Sequence, residues 1–194
     1  MSPDSKDPRL LVPQCNDLQP VEELFSNEWF SLRNRGGYYT VEPHQPQVIV
    51  LPIVNGDSVI LVRVKRPVLA DSPLELPAGS CLENETPSAA AARELAEETG
   101  VQVMELQRFV PLSPLSGSPN RSPFLLHVFV VQISSEEFLD RRSHDSEIQE
   151  VLLLSLSEAL QLIKTGEIYV SVPVAVISRY TLGRTDILSK LSVH

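Results

Sequence analysis

The sequence predicts an α+β fold, a mixed β-sheet held between helices, and three observations carry that prediction. Two apolar, β-rich runs at residues 48–54 and 59–64 flank Asn55-Gly56-Asp57, a strong hairpin turn. Residues 87–99 read as a capped helix. Strands outnumber helices and do not alternate with them, which separates this chain from regular strand–helix–strand folds.

Taken in order, residues 1–20 carry Pro3, Pro8, Pro13 and Pro20 and read as an extended arm. Residues 27–40 contain Trp29, Phe30, Gly36, Gly37, Tyr38 and Tyr39, a strand–turn–strand with aromatic anchors. After the 48–64 hairpin, Thr86 is placed to cap a helix with Pro87 in its first turn, and Gly100 to end it. Residues 111–123, rich in serine and proline, read as a long loop of the functional kind. Further strands are expected at 124–133 and 151–156, then a helix at 157–165 starting at Ser157 and a last helix at 172–181. The chain divides into a β-rich arm over 1–45 and a main domain over 46–194.

Bulk properties narrow the function. A formal net charge of −9 counts against a binder of long nucleic acid, which would grip phosphates through Lys and Arg. No stretch is long and apolar enough for a membrane span, and the N-terminus lacks the apolar core of a secretory signal. Cys15 and Cys81 lie far apart with no metal-ligand spacing, which fits a reduced cytoplasmic protein. None of the histidines, His44, His127, His144 or His194, has such spacing either.

The chemistry concentrates in the 87–99 helix. At 3.6 residues per turn Glu94 and Glu98 share one face with Glu97 on its shoulder, while Ala92, Leu95, Ala96 and Thr99 form the opposite, core-facing stripe. Ala90 and Ala91 leave the acidic face uncluttered. Stacked like charges cost stability in a bare helix, and a bound hard cation reverses that sign. A solvated acidic face is the alternative. Against it stand Arg93, placed to orient Glu97, and the tight apolar turn Leu76-Pro77-Ala78-Gly79 just upstream.

Gly79, five residues, Glu85, seven residues, then Arg93-Glu94-Leu95-Ala96-Glu97-Glu98-Thr99-Gly100-Val101 resembles the Nudix box at every defined position. The resemblance implies an α/β/α sandwich around a mixed sheet and attack of water on a pyrophosphate, assisted by Mg²⁺ or Mn²⁺. It implies Glu94, Glu98 and the Ala78 carbonyl as metal ligands, Glu97 as ligand or orienting partner, and Arg93 as the residue holding the carboxylates. Gly79 and Glu85 would shape and brace the loop. Arg66-Pro67-Val68 and Leu74-Glu75-Leu76 are similar to the ADP-ribose pyrophosphatase branch, which implies Arg66 on the substrate and Glu75 near the nucleotide or metals. The loop at 141–150 offers Glu147 as catalytic base, with Asp145 and Glu97 as alternatives, and leaves Glu150 a structural acid.

The expected reaction is therefore conversion of a nucleotide sugar, foremost ADP-ribose, to AMP and ribose 5-phosphate. GDP-mannose, NADH or a dinucleoside polyphosphate would need the same chemistry, and a non-catalytic ligand-sensing domain is the alternative from another class. Trp29, Tyr38 and Tyr39 could stack on a base, pack in the core or form a dimer contact. The branch resembled pairs through its N-terminal region, so a homodimer is expected.

Overall fold

The computed structural model describes residues 7–10 and 15–184, so much of the proline-spaced arm, and His194, lie outside the described residues. Two sheets form. The first is a small antiparallel sheet of β1 (Val21–Ser26), β2 (Phe30–Arg35) and β3 (Tyr38–Pro43). The second is mixed and has seven strands: β4 (Gln47–Val54), β5 (Ser58–Val64), β6 (Leu74–Glu75), β7 (Ala78–Ser80), β8 (Val110–Leu115), β9 (Leu126–Ile133) and β10 (Ile148–Ser155). Its path runs β10-β5-β4-β9-β8, with β4 and β9 parallel and the other neighbours antiparallel.

Helices cover both faces of the large sheet. Strand β4 shows why: Val48 and Val50 point into one core with Ala90, Ala91, Leu95 and Phe129, around α1 (Pro87–Thr99). Ile49, Leu51 and Ile53 point into a second core with Leu156, Ala159, Val176 and Ile177, contributed by α3 (Leu156–Thr165) and α4 (Ser171–Leu182). A strand buried on both sides reads as an unbroken apolar run, as β4 does. The α/β/α layering follows, and no helix among the described residues is long and apolar enough to cross a membrane.

The hairpin turn behaves as its residues require, with Asn55 at φ 48° and Gly56 at φ 80° in the left-handed region. Only Ile53–Val59 and Val54–Ser58 then pair before β4 and β5 diverge. The two short strands fill the opening: β6 pairs with β5 through Val62–Glu75, and β7 pairs with β4 through Val48–Gly79.

Several expectations need correction. Residues 111–123 are not all loop, because Val110–Leu115 forms edge strand β8; prolines are tolerated there, where an amide need not pair. Helix α3 is capped by Ser155, whose hydroxyl accepts from the Glu158 amide, rather than started by Ser157. A short helix α2 (Ser135–Leu139), capped by Ser134 and Glu137, was not anticipated, although its Ser-x-x-Glu signature is legible. On α1, Ala90 and Ala91 are fully buried in the core rather than lying under the acidic face, because the helix is wedged against both β4 and β7.

The small sheet inverts the usual arrangement. Ser31, Arg35, Thr40 and Glu42 are buried, while Phe25, Trp29, Tyr38, Tyr39 and Val41 are exposed, so the aromatics do not pack in the core. Arg35 is bidentate on Glu42 at 2.6 and 2.9 Å, Thr40 donates to the same carboxylate, and Arg33 adds a third cationic contact. Burial would push the Glu42 carboxyl up, but these bonds and charges hold it below its ordinary range. Arg35→Met should therefore cost on the order of 3 kcal/mol in urea unfolding, by taking from buried Glu42 its bidentate partner, and Arg35→Met with Glu42→Leu should recover most of it.

Candidate active site

The site lies in the opening between β4 and β5. Backbone bonds sew its floor down: the Val50 amide donates to the Pro77 carbonyl at 2.9 Å, and the Cys81 amide to Pro46 at 2.8 Å. Against this floor lies α1, capped by the Thr86 hydroxyl and ended at Gly100 in the left-handed region. Gly79 is the contact point. A Cβ there would stand 2.0 Å from Oε1 of Glu94, so only glycine admits that carboxylate against β7.

Arg93 organises the acidic side chains. Its Nε and Nη2 donate to the two oxygens of Glu85 at 3.0 Å each, and Nη2 also reaches the Ser80 carbonyl at 2.8 Å. Its Nη1 donates to Glu94 at 2.8 Å and Glu97 at 2.9 Å. Glu85 also accepts from the Leu82 amide at 2.8 Å and sits below its ordinary pKa, chiefly through Arg93. Glu94 is buried and sits above its ordinary value, because desolvation outweighs the help from Arg93.

Glu98 differs from its neighbours. Its contact is the Ala78 amide, at 3.3 Å. Burial, and then the charge of Glu94, push its carboxyl up to about 8. Among the described residues no three His, Cys, Asp or Glu side chains converge as a metal cluster. The geometry explains this, since Glu85, Glu94 and Glu97 are gathered on Arg93 while Glu98 faces Ala78. The donors that fit a hard cation are oxygens: Glu94, Glu98 and the Ala78 carbonyl. A half-buried carboxylate beside a second one, as Glu98 is beside Glu94, is what such a cation would relieve.

The other expected residues surround this centre. Arg66 and Glu75 meet in a bidentate pair at 2.7 and 3.0 Å, so each is engaged by the other. Arg66 also lies within the field of Glu98 and Glu147, and its pKa is raised by Glu75 first and by these charges as well. Glu147 is exposed and lines a cavity of about 580 Å³ with Lys65, Arg66, Val68 and Ser146. Its loop is tied to the end of α1: the Asp145 amide donates to the Glu97 carbonyl at 2.8 Å and the Arg142 amide to Gly100 at 2.9 Å. The Asp145 carbonyl meets Nδ1 of His144, and Glu150 forms an exposed pair with Arg63 at 3.2 Å.

Two features escaped sequence reasoning. Tyr169 donates to Asp71 at 2.6 Å, tying the α3–α4 connection to the turn between β5 and β6. A second cavity, lined by Gln47 and Phe124 among others, opens beside Glu75 and Ala78. Both depend on contacts between segments distant in sequence, which leave no local pattern.

A family profile, the NUDIX domain, matches residues 43–171. The chain is 31% identical over 126 residues to an ADP-ribose pyrophosphatase of Bacillus subtilis, covering 65% of this chain and 66% of that protein. The same identity and coverage hold for a methanol dehydrogenase activator of Bacillus methanolicus. Phosphatase NudJ of Escherichia coli K12 is 32% identical over 117 residues, or 60% of this chain and 73% of NudJ. The aligned stretch thus spans about two thirds of each Bacillus protein.

The raised carboxyl of Glu98 has a consequence for stability. The folded state keeps a proton that the unfolded chain releases above 4.5, so this contribution is complete below 4.5 and is lost as pH rises through about 8. Without divalent cations, Glu98→Gln should melt higher than the parent by roughly 4 °C at about pH 9. The two curves should merge at about pH 4.5 and below, where both side chains are neutral.

Proposed function

The chain belongs to the Nudix family, and from that premise we propose that it hydrolyses the pyrophosphate bond of a nucleotide sugar, ADP-ribose foremost. The observation that carries this reading is a pair of carboxylates, buried Glu94 and half-buried Glu98, pressed against Ala78-Gly79 with Arg66 beside them. The 31% identity to an ADP-ribose pyrophosphatase supports the choice of substrate.

In this reading Glu94, Glu98 and the Ala78 carbonyl hold Mg²⁺ or Mn²⁺, with Glu97 as a further ligand or as an orienting partner through Arg93. When bound, the cation neutralises charge on phosphoryl oxygens and lowers the pKa of water at the site. Arg93 keeps Glu94 and Glu97 in place, so that their mutual repulsion does not spread the site. Arg66 exchanges part of its pair with Glu75 for pyrophosphate oxygens, which suits a planar fork of donors. Glu75 then lies at the nucleotide.

Glu147 serves as the base, on a loop that Gly100 and Glu97 hold near the helix end. The attacking water forms a new P–O bond as the bond to the bridging oxygen breaks. Its proton passes to the Glu147 carboxylate and then to solvent. AMP and ribose 5-phosphate leave as separate phosphate monoesters.

The arm and sheet over 1–45 form the second part of this proposal, as the pairing surface of a homodimer. Phe25, Leu32 and Val41 stand in one cross-strand row, and Phe25 and Val41 are exposed. Tyr39 adds to the same apolar face, which a second copy would cover. Sedimentation should give twice the chain mass, and Phe25→Asp with Val41→Lys should give the monomer; a parent of single-chain mass at all concentrations removes the dimer.

Hydrolysis is tested with ADP-ribose, ADP-glucose, GDP-mannose, NADH and diadenosine polyphosphates, with products resolved by ion exchange. ADP-ribose should yield AMP only with divalent cation. Glu98→Gln and Glu147→Gln should each lower kcat by about 10²-fold or more. Preference for another compound would change the substrate and keep the chemistry, whereas binding without cleavage would favour a ligand-sensing role.

A further inference from the structure

Two cavities of opposite character open on either side of the Arg66–Glu75 pair. One, of about 310 Å³, is bounded by β4, the 116–125 loop and the start of α4. Ile49, Phe124, Leu126 and Val172 give it apolar walls, and the Gln47 amide and Ser122 hydroxyl supply hydrogen-bonding groups. Among the described residues Glu75 is its sole charged lining side chain, and it is paired with Arg66. The other cavity is charged, with Lys65, Arg66 and Glu147 on its lining.

We propose that these cavities fix the direction of a nucleoside diphosphate substrate, with its base in the neutral cavity and its sugar end toward Lys65. The inference rests on the hydrolase reading for the substrate class and adds its orientation. A phosphate would find no cation in the neutral cavity, and a hydroxyl-rich sugar would find mostly hydrocarbon. A nucleobase matches both features, because its faces are apolar and its edges carry donors and acceptors. Ala78 lines the neutral cavity, and its amide donates to Glu98. That places the phosphates over the acidic centre.

The neutral cavity has a held wall. The 116–125 loop closes on itself, with the Arg121 and Ser122 amides donating to the Ser118 carbonyl at 3.0 and 2.8 Å. Its Arg121 carbonyl then accepts from the Val41 amide of β3 at 2.7 Å. Phe124 follows directly, so the small sheet helps to set the position of an aromatic wall. Phe124 and Gln47 become the residues that read the base.

Isothermal titration of the full chain in MgCl₂ with AMP and with ribose 5-phosphate tests this directly, without requiring turnover. AMP should bind at least about tenfold more tightly than ribose 5-phosphate, consistent with a base buried in an apolar pocket. Phe124→Ala and the near-isosteric Gln47→Leu should each weaken AMP about tenfold and leave ribose 5-phosphate unchanged, with melting temperatures showing that both variants fold. Equal affinities in the parent, no binding of either compound, or variants that leave AMP binding intact would overturn the placement. A parent that cuts ADP-ribose but fails this test keeps the hydrolase reading and loses the orientation. One that passes it but cuts nothing keeps the orientation and loses the hydrolase reading.

Discussion

Three of the four carboxylates in the acidic centre depend on one guanidinium. Arg93 spends its donors on three carboxylates and one carbonyl, so Glu85, Glu94 and Glu97 are gathered around a single positive charge. Without it, three neighbouring like charges, Glu94 among them buried, would repel one another. Arginine suits the task because its planar fork serves several acceptors in fixed directions, which an ammonium on a flexible stem does not. Gly79 is the complementary constraint, since the carboxylate that Arg93 orients occupies the space a side chain would need. Glu98 lies outside this arrangement, and its raised carboxyl records the difference.

The fold supplies the place for that centre by interrupting a hairpin. Strands β4 and β5 pair only near their turn, and β6 and β7 take over the backbone bonds that the divergence would leave open. The floor of the site is therefore sheet, not loop, and it is backed by the β4 side chains that fill both cores. Rigid backing of this kind keeps carboxylates in register with a helix face.

Much of this was legible in the chain. The 48–64 hairpin, the capped carboxylate helix and the mixed sheet all follow from periodicity, turn residues and caps, because those signals are local. The pattern from Gly79 to Val101 was legible for a different reason, its resemblance to the Nudix box, and two of its spacings serve contacts, Gly79 against Glu94 and Arg93 on Glu85. Apart from helix α2, whose cap is local, and strand β8, what was missed is non-local. The Arg66–Glu75 pair joins two residues singled out separately, with nothing in their spacing to announce it. Strand β8 was hidden because its prolines mimic a loop, and the neutral cavity because its walls come from β4, a loop and α4. The burial of Ala90 and Ala91 shows the same limit, since a helix wedged between two strands buries more than one stripe.

Between β5 and β6 the chain makes a short excursion that is closed at its base, where Arg66 and Asp71 bridge. Ala70 takes a positive φ there, and Val68 at the tip is 99% exposed. Such a closed stem insulates the sheet from whatever happens at its apex. Residues could be inserted at Val68 or Leu69 without shifting the register of β6 or the floor beneath the carboxylates. Because the same tip borders the charged cavity, its length is a free variable by which a lineage could resize one end of the site while inheriting the acidic centre unchanged.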